Sequence, residues 1–255
     1  MIRRAFHLAG LACLFLLATS QALAGLPEAI VKLKPSVVLI GTFKATDSPR
    51  FQLRGTGFIV GNGQLVVTNA HVLPAPAVGD APALVVQVRQ GNDEWQMRPV
   101  QLLGQDLPRD LALLRMAGPP GPALAVGDST RVREGDELAF MGFPIGGALG
   151  FSAVTHRALV ASITPATLPS PTANNLQGQA IRGLRENRFD LFQLDAVAYP
   201  GNSGGPLFHP QTGEVLGVLN MVLVKSRRES VLSNPSGIAY AIPARHVREL
   251  MERHP

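Results

Sequence analysis

Cysteine is almost absent from this chain: among 255 residues there is one, Cys13. A single thiol cannot close an intramolecular disulfide, so the apolar core must stabilise the fold. Charged residues are also few, at 16%, whereas hydrophobic residues reach 46%. This composition excludes wholesale disorder. The net charge of +5 is mild, and the one basic cluster, Lys225, Arg227 and Arg228, is interpreted as a solvated loop, so nucleic-acid binding is not indicated.

The apolar run at residues 8–18 is too short for a membrane span, which needs roughly 20 residues. Arg3 and Arg4 precede this run, and the small residues Ala22 and Ala24 follow it. The pattern predicts a secretory signal peptide at 1–24, with an uncleaved membrane anchor as the alternative. Cleavage after Ala24 would remove Cys13 and leave a mature chain without cysteine. An exported chain of that kind suits a bacterial envelope, so the expected location is periplasmic or secreted.

Helical heptads and alternating strand–helix units are missing, whereas glycine (26) and proline (21) are abundant. Short β-branched segments recur between these turn residues, such as residues 36–43 and the hairpin around Gly61-Asn62-Gly63. About a dozen short strands form two similar sets, with one short helix at each end. The pattern predicts an all-β protein built from barrels or sandwiches.

The polar segment 167–187 contains several Pro, Asn, Gln and Gly residues. It predicts a long mobile loop, and loops of this length are commonly functional.

Ser203 lies in the segment PGNSGGPLF, residues 200–208, with apolar strand-like residues on either side. A serine hydroxyl becomes a nucleophile only beside a base, and that base needs an orienting group. His71 follows the buried strand pattern VVTNA, where a rigid scaffold can aim an imidazole. Asp110 opens the strand pattern DLALLR and is the best candidate carboxylate, with Asp106 as its rival.

The other histidines have contexts that suit catalysis less well. His156 is in mid-strand and His209 in a turn, whereas His246 and His254 are expected on the surface of the terminal helix. The letters around Ser203 also satisfy G-x-S-x-G, but the nucleophile elbow of an α/β-hydrolase precedes a helix and runs serine, acid, histidine. Here the serine comes last and Pro206 leads into a strand, which argues against the elbow.

Three motifs together resemble those of the chymotrypsin-fold serine proteases, and their residues are most similar to the bacterial HtrA/Deg-type branch. They are TNAHV (68–72), RDLALLR (109–115) and GNSGGPL (201–207). The resemblance covers nearly all of the chain after the signal peptide. It implies two perpendicular six-stranded β-barrels, one at 25–128 with His71 and Asp110, the other at 129–255 with Ser203 and the terminal helix.

The resemblance also implies roles for individual residues. Ser203, His71 and Asp110 would be the catalytic triad of an endopeptidase that acts on unfolded or damaged proteins, with an oxyanion hole from the N–H groups of Gly201 and Ser203. Substrate-binding positions would be Val197, Ala198, Tyr199 and Asn220. Because Val197 stands where an Arg/Lys-selective pocket would have an acid, a preference for small or medium aliphatic residues is expected.

Polypeptides are the implied partners, with a homo-oligomer as a further possibility, and neither nucleic acid nor a stable membrane span is expected after signal cleavage. No H-E-x-x-H spacing occurs, and neither a metal nor a cofactor is predicted. HtrA-type proteins usually carry a PDZ module after the protease, and the sequence predicts none here. The alternatives are a serine esterase and a catalytically latent chaperone or binding protein on the same fold.

Overall fold

The computed structural model describes residues 25–75, 79–91, 94–147, 150–166, 189–220 and 237–254. The predicted signal peptide and the predicted mobile loop lie outside the described residues. Helix α1, Leu26–Leu33, precedes the strands and helix α2, Arg245–Glu252, follows them. The first six strands are β1 Val37–Phe43, β2 Phe51–Val60, β3 Leu65–Thr68, β4 Ala83–Arg89, β5 Trp95–Asp106 and β6 Leu111–Met116. The second six are β7 Glu137–Gly142, β8 Val154–Pro165, β9 Asp190–Asp195, β10 Pro206–Phe208, β11 Val215–Asn220 and β12 Ile238–Pro243.

The strands close into two antiparallel barrels. The first has the order β1-β2-β3-β6-β5-β4 and the second the order β7-β8-β9-β12-β11-β10. The predicted all-β fold of two six-stranded barrels is therefore confirmed. The predicted division at residue 128 lies in the segment between β6 and β7.

Strand β1 explains how the two barrels share apolar surface. Its side chains alternate between two faces, as strand geometry requires. Val38 and Ile40 pack inside the first barrel, whereas Val37 and Leu39 join a core that includes Phe208 of the second barrel. All four are fully buried, so this strand is apolar on both faces.

The connecting segment 117–136 is bonded to both barrels. The N–H of Leu124 donates to Ile59 O of β2 at 2.8 Å, and the N–H of Val215 in β11 donates to Ala125 O at the same distance. Gly127 N–H returns a bond to Val215 O. The junction between the barrels is therefore fixed by backbone hydrogen bonds as well as by apolar packing.

Helix α2 packs more deeply than its sequence indicated. Val247 and Leu250 are fully buried, as the apolar stripe predicts, but His246 is also only 4% exposed. The expectation of a surface position for His246 was wrong, because its ring packs edge-on against Phe189 and its Nδ1 bonds to Glu249. Burial lowers the pKa of His246, although Glu249 opposes this shift.

In the described part of the chain, no helix is long and apolar enough to cross a bilayer. The described residues likewise include no PDZ domain.

His156 of β8 gives the second barrel a pH-sensitive position. Its ring stacks on Phe140 with 4.8 Å between centroids, and its buried Nε2 has no hydrogen-bond partner among the residues that the structure describes. Burial lowers the pKa of His156, since the imidazolium would lose its hydration.

We expect stability to fall as the pH drops below the unfolded-state pKa of about 6.5, because there the unfolded chain binds a proton that the native His156 excludes. One such proton lowers the free energy of unfolding by at most about 1.4 kcal/mol per pH unit. His156→Phe keeps the stacked ring without titrating, so it should flatten the fall. Thermal unfolding over a pH series tests this, and an unchanged slope in the variant would contradict it.

Candidate active site

His71 is placed by a short turn that the structure ties to Asp110. Strand β3 ends at Thr68, and residues Ala70–Val72 form one turn of 3₁₀-helix. The N–H of Ala70 donates to the carbonyl oxygen of Asp110 at 3.1 Å, and Asn69 Nδ2 donates to the same oxygen at 3.0 Å. The carbonyl oxygen of Asp110 therefore fixes the backbone just before His71.

Asp110 lies in a tight turn immediately before β6. Its φ of +54° places a non-glycine residue in the left-handed region, a conformation that is uncommon and mildly strained. Its Oδ1 accepts the backbone N–H of His71 at 2.8 Å, and its Oδ2 lies 2.5 Å from His71 Nδ1. Because a carboxylate only accepts, Nδ1 carries the proton and Nε2 is left as the basic nitrogen.

Asp106, the alternative candidate for the carboxylate that orients His71, has a different role from Asp110. Its side chain is 3% exposed and pairs with Arg109 at 2.9 Å and with Arg253, just after α2, at 3.0 Å. Burial raises the pKa of Asp106, but its bonds to both arginines outweigh this and lower the pKa below its usual value. Asp106 thus joins the turn that precedes Asp110 to the end of α2.

The Ser203 loop packs directly on the first barrel. Ser203 is 5% exposed, and its carbonyl oxygen accepts the N–H of Thr56 in β2 at 2.9 Å. Gly204 has a φ of +85°, and a β-carbon there would collide with Thr56 O and Thr68 Oγ1. Only glycine therefore allows the serine loop to approach the strand that leads to His71.

Thr56 fixes the serine loop from the first barrel, a contact that the sequence did not reveal. Its Oγ1 donates to the carbonyl oxygen of Gly201 at 2.6 Å and accepts the N–H of Phe143 at 3.0 Å. A threonine in mid-strand looks like an ordinary β-former, and its partners lie 145 and 87 residues away. No local pattern could have identified this contact.

The loop also orients the two amides expected to form the oxyanion hole. Pro200 O accepts the N–H of Ile145 at 2.8 Å, so the N–H of Gly201 on the opposite side of that peptide plane points away from Ile145. Within the described ranges, the N–H groups of Gly201 and Ser203 have no protein acceptor. Likewise, no hydrogen bond joins Ser203 Oγ to His71 among the described residues.

A family model for the trypsin-like peptidase domain matches residues 55–218. The chain belongs to the trypsin-like peptidases. This match contains His71, Asp110 and Ser203 in one domain.

Curated relatives of this trypsin-like peptidase include proteins of the HtrA/DegP type. The chain is 30% identical over 192 residues to a probable periplasmic serine endoprotease DegP-like of Pseudomonas putida, covering 75% of this chain and 33% of the relative. It is 32% identical to the putative serine protease HhoA of Synechocystis sp., covering 74% of this chain and 40% of the relative. The chain therefore spans about a third of the length of the curated relatives it matches.

Among solved structures, the HtrA-type protease AlgW with a tripeptide matches the fold with a TM-score of 0.61 at 24% identity. The match covers 89% of this chain and 62% of that one. It supports the chymotrypsin-like arrangement of the two barrels.

The predicted substrate-binding residues of this trypsin-like peptidase lie in two places. Val197 is 38% exposed, Ala198 is buried, and Tyr199 O accepts the N–H of Asn202 at 3.1 Å within the turn before Ser203. These three stay predictions. In the described part of the chain, no group of three or more His, Cys, Asp or Glu side chains could bind a metal ion.

Asn220 is placed where its side chain reaches the Asp110 carboxylate. It ends β11, is 2% exposed, and its Nδ2 donates to Asp110 Oδ2 at 2.8 Å. The bond crosses from the second barrel to the first. The family resemblance had placed Asn220 among the substrate-binding residues, and that role stays a prediction.

Removing this donor should impair the positioning of His71. A hydrogen bond to a charged group is worth about 1.5–3 kcal/mol, so we expect Asn220→Ala to lower kcat by about tenfold or more with little change in KM. Asn220→Ser, which keeps a donor, should recover part of the loss. Peptide hydrolysis kinetics and the NMR resonance of the His71 Nδ1 proton measure the effect. A rise in KM alone would instead assign Asn220 to substrate binding.

Proposed function

We propose that this protein is a serine endopeptidase that hydrolyses peptide bonds of unfolded or damaged polypeptides through an acyl-enzyme. The observation that carries the proposal is the Asp110 carboxylate, which binds both Nδ1 and the backbone N–H of His71. This arrangement leaves His71 Nε2 as the base. The proposed nucleophile, Ser203, is buried and lies between two glycines with positive φ, Gly201 and Gly204. The names of the relatives agree with this function.

The first half of the reaction uses all three residues. Ser203 Oγ attacks the peptide carbonyl while His71 Nε2 takes its proton, and Asp110 stabilises the imidazolium that forms. The negative charge on the carbonyl oxygen is stabilised by the N–H groups of Gly201 and Ser203. His71 then delivers its proton to the departing amine, and the acyl group remains on Ser203.

The second half releases the acyl group. Water enters in place of the amine, His71 takes a proton from it, and the resulting hydroxide attacks the ester carbonyl. Collapse of the second oxyanion breaks the bond to Ser203 Oγ, which recovers its proton from His71. No cofactor takes part in this scheme.

The central test compares the wild type with Ser203→Ala. Wild-type protein should cleave unfolded casein and react with a fluorophosphonate probe, whereas Ser203→Ala should lose about 10⁴-fold or more of the activity and all of the labelling. Ser152→Ala, which removes an exposed serine outside the loop, is the matched control and should behave as wild type.

Other results would contradict the proposal in distinct ways. Labelling without proteolysis would favour an esterase or a latent protein. A wild type that neither labels nor cleaves would favour a chaperone or binding protein on the same fold.

The residue before the scissile bond is proposed to be small or medium aliphatic. The position six residues before the nucleophile is Val197, partly exposed and uncharged. A peptide-library profile should therefore show cleavage mainly after Ala, Val, Leu or similar residues. Dominant cleavage after Arg or Lys would show that a different residue determines the pocket.

The proposed location is the periplasm. The basic and apolar pattern of residues 1–24 supports export, and the name of the Pseudomonas putida relative includes the word periplasmic. A homo-oligomer is also proposed, on family resemblance alone.

A further inference from the structure

Arg54 occupies an irregular position in β2. The register of β1 against β2 shifts between Ile40, opposite Gly55, and Gly41, opposite Leu53. Arg54 therefore has no partner on β1 and forms a β-bulge. Bulges next to active sites commonly redirect a side chain away from the regular alternation of the strand.

The redirected side chain is fixed by the backbone that follows His71. Arg54 Nε donates to Val72 O at 2.6 Å, and Nη2 donates to Leu73 O at 3.1 Å. A guanidinium has five N–H donors, and the other three of Arg54 donate to no group in the described part of the chain. Although the residue is exposed, no carboxylate within the described ranges lies at ion-pair distance from it.

The same strand segment borders the nucleophile. A β-carbon at Gly55 would lie 3.0 Å from Ser203 O and closer still to Val72, so Gly55 separates the serine loop from the histidine turn. Arg54 is the next residue along β2. The guanidinium of Arg54 is therefore bonded to the segment that follows His71. The residue next to it in the sequence, Gly55, is the one that contacts Ser203.

The direction of the proposed proton transfer determines which part of a substrate lies near Arg54. In the proposed reaction His71 protonates the departing amine, so that amine lies at His71. The residues that follow the scissile bond continue from the amine along the flank of His71, where Val72, Leu73 and Arg54 lie.

We propose that Arg54 forms a subsite for a carboxylate side chain in the first residues after the scissile bond. This inference rests on the proposed endopeptidase function. An Asp or Glu there would accept charge-assisted hydrogen bonds from the free N–H groups of Arg54, whereas Lys or Arg would be repelled. The carbonyls of Val72 and Leu73 preorganise the guanidinium, which reduces the entropy cost of binding.

The test uses fluorogenic peptides with one constant acyl half and Glu, Gln or Lys in the two positions after the cleaved bond. For wild type, we expect kcat/KM for Glu over Gln to be about three- to tenfold, as for a partly exposed charged pair, and to decrease as salt is added. Arg54→Met should bring this ratio to about one. Arg50→Met, which removes an exposed charge four residues earlier, should keep the wild-type ratio.

The ratio separates a subsite from a purely structural role. If Arg54 only supports the His71 turn, Arg54→Met lowers all three substrates equally and the ratio persists, which overturns the inference. Arg54→Gln and Arg54→Lys cover the case in which Arg54→Met does not fold, and Lys should keep part of the preference while Gln loses it. Equal cleavage of all peptides by wild type overturns the inference alone, whereas no cleavage of any peptide contradicts the proposed function.

Discussion

The carboxylate of Asp110 is the point on which the geometry of the site depends. One oxygen accepts the backbone N–H of His71, and the other accepts His71 Nδ1 and Asn220 Nδ2. These donors come from two barrels, so the carboxylate that positions the imidazole also bonds across the interface between the barrels. The left-handed backbone of Asp110 directs its carbonyl oxygen to Ala70 and Asn69 at the same time. A strained backbone persists where surrounding contacts hold it, and Asp110 has such contacts at both its carbonyl and its carboxylate oxygens.

Thr56 performs the corresponding task for the serine loop. Its N–H and its hydroxyl bind the carbonyls of Ser203 and Gly201, so two peptide planes of the loop are fixed from the opposite barrel. A third carbonyl of the loop, that of Pro200, accepts the N–H of Ile145. Among the described residues, the N–H groups of Gly201 and Ser203 donate to no protein acceptor, whereas those of Asn202, Gly204 and Gly205 do. In the proposed reaction the first two amides would stabilise a negative oxygen without any charged side chain.

The sequence predicted the elements of the fold well and the cross-barrel contacts poorly. Short β-branched segments between glycines and prolines were enough to predict an all-β fold, because strand length and turn chemistry are local properties. The order of His71, Asp110 and Ser203, together with the motifs around them, indicated one chemistry among several. The contacts of Thr56 and the side-chain direction of Asn220 depend on how the barrels dock, and the depth of His246 depends on Phe189. None of these has a signal within a few residues of itself.

Because the site is divided between two barrels, it is incomplete in a chain that has folded only one of them. His71 and Asp110 belong to the first barrel, whereas Ser203 and Asn220 belong to the second. A chain with only one folded barrel has two of these four residues and lacks the surface of the other barrel that aligns them. Ser203 and the His71–Asp110 pair can therefore meet only after both barrels have folded and docked. The interface between the barrels is as necessary to this site as its three side chains.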